Sequence, residues 1–100
     1  MTVIVAGTVR VPPENIARFR PHMDRMLAAS RAEAGCLTYS YAVDVQDAGL
    51  LRVFEAWTDE AALQAHFQTP HMADWRAVFP EFGVSDRRLS LYEVAAERAI

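Results

Sequence analysis

A chain of 100 residues with 52% apolar side chains and a formal charge of −3 is sized for one packed domain. Its mixed charges form no basic stripe, so nucleic acid and anionic membrane surfaces are not expected partners. Cys36 stands alone, which excludes an intrachain disulfide and a thiolate-built zinc site.

The start, Met-Thr-Val-Ile-Val-Ala-Gly, has no positively charged leader, and no apolar run approaches the ~20 residues needed to cross a bilayer. A cytoplasmic protein is the expectation. Residues 2–11 place Val3, Val5, Val9 and Val11 at period two before Pro12-Pro13, the pattern of a first strand. Ile16, Phe19, Met23, Met26, Leu27 and Ser30 then recur every three or four residues, predicting an amphipathic helix over 13–34 that Gly35 ends. Pro21 lies inside it and predicts a bend near Phe19 rather than two helices. Leu37, Tyr39, Tyr41, Val43 and Val45 alternate with smaller or polar residues over 36–45; residues 46–49 supply a turn, and 50–58 form the next strand. Thr58 or Asp59 can cap a helix carrying Leu63, His66 and Phe67, which Pro70 interrupts; a second helical stretch follows over 71–79 and a last strand over 84–95.

The order β-α-β-β-α-β is that of a ferredoxin-like α+β domain, with two helices on one face of a four-stranded antiparallel sheet. Both faces of the strands are apolar: Leu51, Val53 and Trp57 oppose Leu50, Phe54 and Ala56. A second copy of the sheet is the simplest cover, so a homodimer is expected.

Candidate chemistry concentrates in one stretch, where Glu55, Trp57, His66, His71 and Trp75 lie close in sequence. His66 or His71 can serve as a base, since imidazole titrates near pH ~6.5. Asp74 and Trp75, three and four residues after His71, share its helix face, so Asp74 can orient His71 and Trp75 can wall a pocket. Glu55 in an apolar strand needs a partner or a raised pKa; it reads either as a proton acceptor or anchor for His66 or His71, or as an ion-pair partner of Arg52, Arg87 or Arg88. Tyr39 is balanced between substrate contact and packing, whereas Tyr41 reads as packing. The histidines with Asp74 or Glu55 nominally make a two-His, one-carboxylate set, but their spacing matches no metal motif, and four scattered glycines build no phosphate loop. No metal, flavin or nicotinamide is expected.

Glu33-Ala34-Gly35-Cys36-Leu37-Thr38-Tyr39, Phe54-Glu55-Ala56-Trp57, Ala62-Leu63-Gln64-Ala65-His66 and Thr69-Pro70-His71 together resemble the antibiotic biosynthesis monooxygenase domain, in particular its small stand-alone quinol-monooxygenase-like members. The likeness runs in order through nearly all of 1–100, read as one domain. It implies a dimeric α/β barrel of two ferredoxin-like chains, each with a pocket between sheet and helices. Some members oxidise polycyclic phenols or quinols with molecular oxygen and no cofactor. Haem-degrading relatives pair a first-strand amide with a tryptophan and a histidine, and residues 2–11 hold no Asn or Gln, which removes that reading. The resulting expectation is a cofactor-independent monooxygenase whose partners are O2 and a small phenol, quinol or enolisable compound. His66, His71 and Glu55 are its catalytic candidates, and Trp57, Trp75 and Tyr39 shape its pocket. Isomerisation of a small carbonyl compound and non-catalytic binding by a dimeric stress-response module are the alternatives.

Overall fold

Alternating β-branched residues make β1 (Val3–Arg10), whose Val3, Val5 and Val9 are buried while the residues between them are at most partly covered. The computed structural model describes residues 1–100. After Pro12, residues Pro13–Asn15 form one 3-10 turn and α1 (Ile16–Arg31) follows, so the helix expected over 13–34 is shorter at both ends. It runs unbroken through Pro21. The one donor lost there is outweighed by burial of Phe19, Met23 and Met26 along the same face.

β2 (Cys36–Asp44) and β3 (Asp47–Trp57) form a tighter hairpin than the expected four-residue turn. The Asp44 carboxylate accepts the Gln46 N–H at 3.0 Å and an Arg52 N–H at 2.8 Å, closing the corner in two residues. Gly49 then extends the ladder by accepting the Val11 N–H at 3.0 Å. Asp59 caps α2 (Glu60–Phe67) through the Ala62 N–H at 2.8 Å. Pro70 restarts the helix as the first residue of α3 (Pro70–Ala77), because its missing N–H is an orphan there in any case. The expected stretch 71–79 is divided: α3 ends at Ala77, and a single turn, α4 (Phe79–Phe82), leads through left-handed Gly83 into β4 (Ser85–Glu93).

The sheet order is β2-β3-β1-β4, antiparallel throughout, which is the expected ferredoxin-like α+β arrangement. Register decides what shares a row. Leu91 pairs with Val5, Val5 with Glu55 and Glu55 with Tyr39, so one row crosses all four strands on the helix-covered face. The next row, Tyr92, Ile4, Ala56 and Thr38, lies on the opposite face. That face keeps Leu37, Phe54 and Tyr92 between 42% and 57% exposed, an apolar surface that the chain's own helices do not cover. No helix is long and apolar enough to cross a membrane.

Gly7 sets how closely β4 approaches β1. Its φ is +156°, and a Cβ there would overlap the Arg88 carbonyl, next to the irregular pairing after Thr8 and the positive φ of Asp86. Gly7→Ala should therefore lower the unfolding free energy by about 2 kcal/mol or more. Urea denaturation checks this; an unchanged midpoint would show that β4 needs no such approach.

Candidate active site

The row Leu91–Val5–Glu55–Tyr39 is the floor of a cavity of about 360 Å³ between sheet and helices. Tyr41 extends the floor, and Leu63 and Phe67 of α2 with Met72 and Trp75 of α3 form the roof. The Trp75 ring is fixed by stacking on Phe19 at 4.7 Å and by an edge contact with Tyr41 at 5.8 Å.

Glu55 is the one carboxyl group on this wall and is 4% exposed. Its Oε1 accepts the Trp57 Nε1–H at 3.1 Å. Burial raises its pKa, while the Trp57 hydrogen bond and the positive charge of Arg87 oppose the rise. The carboxyl group therefore holds a proton more readily than a solvated glutamate does. Tyr39 and Tyr41 stack with centroids 6.1 Å apart, and burial pushes both phenols up, Tyr41 to about 12. Both remain protonated hydroxyls near neutral pH and can donate hydrogen bonds.

Behind this wall lies a second cluster. Glu33 Oε2 is 2.6 Å from His66 Nδ1 and 2.9 Å from His71 Nε2. One carboxylate oxygen can accept from both rings, which places N–H groups on those two nitrogens and leaves the lone pair of His66 on Nε2. That Nε2 is buried and has no hydrogen-bond partner. The ring lies against Trp57 at 4.6 Å and Tyr39 at 5.3 Å. Burial lowers the His66 pKa, with Glu33 opposing. Pro70 makes the convergence possible: by ending α2 and restarting the chain as α3 it brings positions 66 and 71 to one oxygen. One ring nitrogen from each histidine and a Glu33 oxygen lie within 4.8 Å of one another, so the three residues could hold a metal ion if it replaced the shared protons.

Three sequence expectations change here. The carboxylate that orients His71 is Glu33 rather than Asp74, which makes no hydrogen bond to that ring. Glu55 anchors neither histidine; its partner is Trp57. Trp57 is fully buried and does not line the cavity, so it supports Glu55 and His66 from behind. Of the six candidates, Glu55, Tyr39 and Trp75 meet at the cavity, and His66 and Trp57 lie one layer behind. His71 opens instead onto a separate cleft of about 220 Å³ beside His22 and Asp74. Glu33 escaped the sequence reading because it sits in a short loop 33 residues from His66. Its nearest signal was Gly35: a Cβ there would overlap Ala62 of α2, so the loop and the helix bearing His66 are in direct contact. Tyr41, read as packing, also reaches the cavity, as does Arg87, considered only as an ion-pair partner.

A ferredoxin-like chain with a small apolar cavity under its helices, one buried carboxyl group in that cavity and a Glu-His-His cluster beside it defines a class of small α+β pocket proteins. The family model described as "Antibiotic biosynthesis monooxygenase" matches residues 2–78, and the chain belongs to that family. It is 37% identical over 79 residues to "Putative monooxygenase Rv0793" of Mycobacterium tuberculosis, covering 77% of each chain. A Synechocystis protein of uncharacterised function is 29% identical over 98% of this chain and 67% of its own length. Among solved structures, a "putative antibiotic biosynthesis monooxygenase" from Deinococcus radiodurans superposes with a TM-score of 0.88 over 100% of this chain and 98% of that one, at 24% identity, a likeness of fold.

The His66 environment has a consequence for stability. Because its folded pKa lies below the ordinary 6.5, the unfolded chain takes up the proton first. The contribution is complete above about pH 6.5 and is lost as pH falls toward the folded value. Urea midpoints measured from pH 7.5 down to 5 should fall less steeply for His66→Gln than for wild type; equal slopes would contradict a buried neutral imidazole.

Proposed function

We propose that this protein is a monooxygenase that uses O2 without an organic cofactor or metal on a small aromatic phenol, quinol or similar enolisable compound, with Glu55 as the proton acceptor. The observation that carries this reading is the position of Glu55: a buried carboxyl group of raised proton affinity on the wall of an aromatic cavity. The ionised Glu55 takes the hydroxyl proton of the bound substrate. The resulting oxyanion gives one electron to O2, and the radical pair combines to form a carbon–peroxide bond on the ring. Protonation of the distal oxygen and loss of water leave a carbonyl at that carbon, so a phenol plus O2 gives a quinone plus H2O. In this reading the Tyr39 and Tyr41 hydroxyls donate to the oxyanion and Trp75 stacks on the ring, a role supported by all three lining the cavity. Glu33, His66 and His71 act as a positioning cluster that packs behind Tyr39 and Trp57.

The family membership and the relatives named as monooxygenases support the reaction class. Abstraction of a proton next to a carbonyl, as in an isomerase, would use the same buried carboxyl group but consume no oxygen. Oxygen-electrode traces with a panel of hydroquinones and polycyclic phenols separate the two. Wild type is expected to exceed the autoxidation blank, and Glu55→Gln to lose about 100-fold or more of kcat, the usual scale for removing a general base. Product formation without oxygen uptake would select the isomerase; full activity in Glu55→Gln would remove Glu55 from the mechanism.

We further propose that the exposed apolar sheet face, with Leu37, Phe54 and Tyr92, pairs with a second copy to make a homodimer. Sedimentation at micromolar concentration should give twice the 11.2 kDa chain mass, and Phe54→Glu with Tyr92→Glu should return it to a monomer. A monomeric wild type would contradict this.

A further inference from the structure

The cavity has a polarity that the oxygenase reading does not use. Its lining is apolar apart from Glu55, the two phenols, the exposed Ser90 and two arginines. Arg76 comes from α3 and Arg87 from β4, so they stand on different walls, and both are exposed, which puts them at the mouth. Arg10, Arg20 and Arg52 each pair with an aspartate, whereas neither mouth arginine has a carboxylate partner. Arg76 gives one N–H to the Phe67 carbonyl at 3.2 Å, and Arg87 lies 6.0 Å above the Phe79 ring, so each guanidinium keeps free donors. In a chain of net charge −3, this is a locally positive opening onto an apolar chamber.

We propose that the cavity selects a small aromatic or enolisable substrate bearing a carboxylate, held at the mouth by Arg76 and Arg87 while its hydroxyl faces Glu55. Two guanidiniums with free forks match a carboxylate in charge and geometry. The opposite orientation is disfavoured, because a carboxylate pushed inward would meet the buried Glu55, while the only nearby countercharge, Arg87, acts from the mouth. Charge at the mouth and a carboxyl group at the base therefore fix the direction of entry as well as the class of ligand. The volume of about 360 Å³ restricts the ring system to a small one.

The proposal rests on the oxygenase reading only for its choice of cavity, so its test is a binding measurement independent of turnover. Calorimetric titration with 6-hydroxy-2-naphthoate and with its uncharged methyl ester compares ligands of one ring system that carry the hydroxyl and the carboxyl group at opposite ends. Wild type is expected to prefer the acid by about tenfold or more, the scale of a charge-assisted hydrogen bond at a partly solvated site. The preference should shrink as salt is raised and approach unity in the Arg76→Gln, Arg87→Gln double variant, with ester affinity little changed. Glu55→Gln should keep the preference, so loss of turnover in that variant leaves this inference standing. Equal affinity of wild type for acid and ester, an undiminished preference in the double variant, or binding of neither ligand would each overturn it.

Discussion

A carboxyl group in the middle of an apolar sheet face is the constraint around which the rest of this molecule is arranged. Glu55 projects between Val53 and Trp57 from the third strand to the side that the helices cover, where an ionised carboxylate is costly without partners. The Trp57 indole supplies one hydrogen bond, Arg87 supplies charge from across the cavity, and burial still prevails in raising the proton affinity. A hydrophobic side chain would satisfy this position more simply. The cavity beside it gives the carboxyl group something to act on, which is why its burial is read as chemistry rather than as packing.

The wall that carries Glu55 is held from behind by a second polar contact of a different kind. Glu33, in the loop after α1, ties His66 of α2 and His71 of α3 to one oxygen, fastening both later helices to the end of the first. His66 in turn lies against Trp57 and Tyr39, the ring that bonds Glu55 and the ring that neighbours it in the row. Glu33, His66, Trp57 and Glu55 thus form a continuous path from loop to cavity. Proline and glycine make the path possible: Pro70 turns the chain between the two histidines, and Gly35 lets α2 lie directly on the loop.

Much of the fold was readable because period-two and period-three-to-four patterns report directly on which face of an element is buried. The valines of β1 and the stripe Phe19, Met23, Met26 did so without ambiguity. Element ends were less legible, since they depend on contacts distant in sequence: β3 begins at Asp47 because Arg10 and Val11 bind Asp47 and Gly49. The site was legible by composition but not by partnership. Of the residues singled out, Glu55, Tyr39 and Trp75 line one cavity while Trp57, His66 and His71 do not, and Glu33 was invisible as the histidines' partner, because nothing local in a loop glutamate distinguishes a solvated side chain from a clamp. Arg87 was named only as a countercharge to Glu55, whose carboxyl group it does influence, and only the strand register also places it on the cavity wall.

The account stands or falls on the state of one side chain. Carbon-13 NMR of the glutamate carboxyl groups through a pH titration, with Glu55 assigned by comparison with Glu55→Gln, reports its protonation in the folded protein directly. The account predicts that Glu55 titrates clearly above the ordinary 4.5, and that its resonance moves when a hydroxylated aromatic acid occupies the cavity. Titration at or below 4.5, with no response to the ligand, would mean that Glu55 is a solvated or ion-paired structural residue and would contradict its role as the proton acceptor.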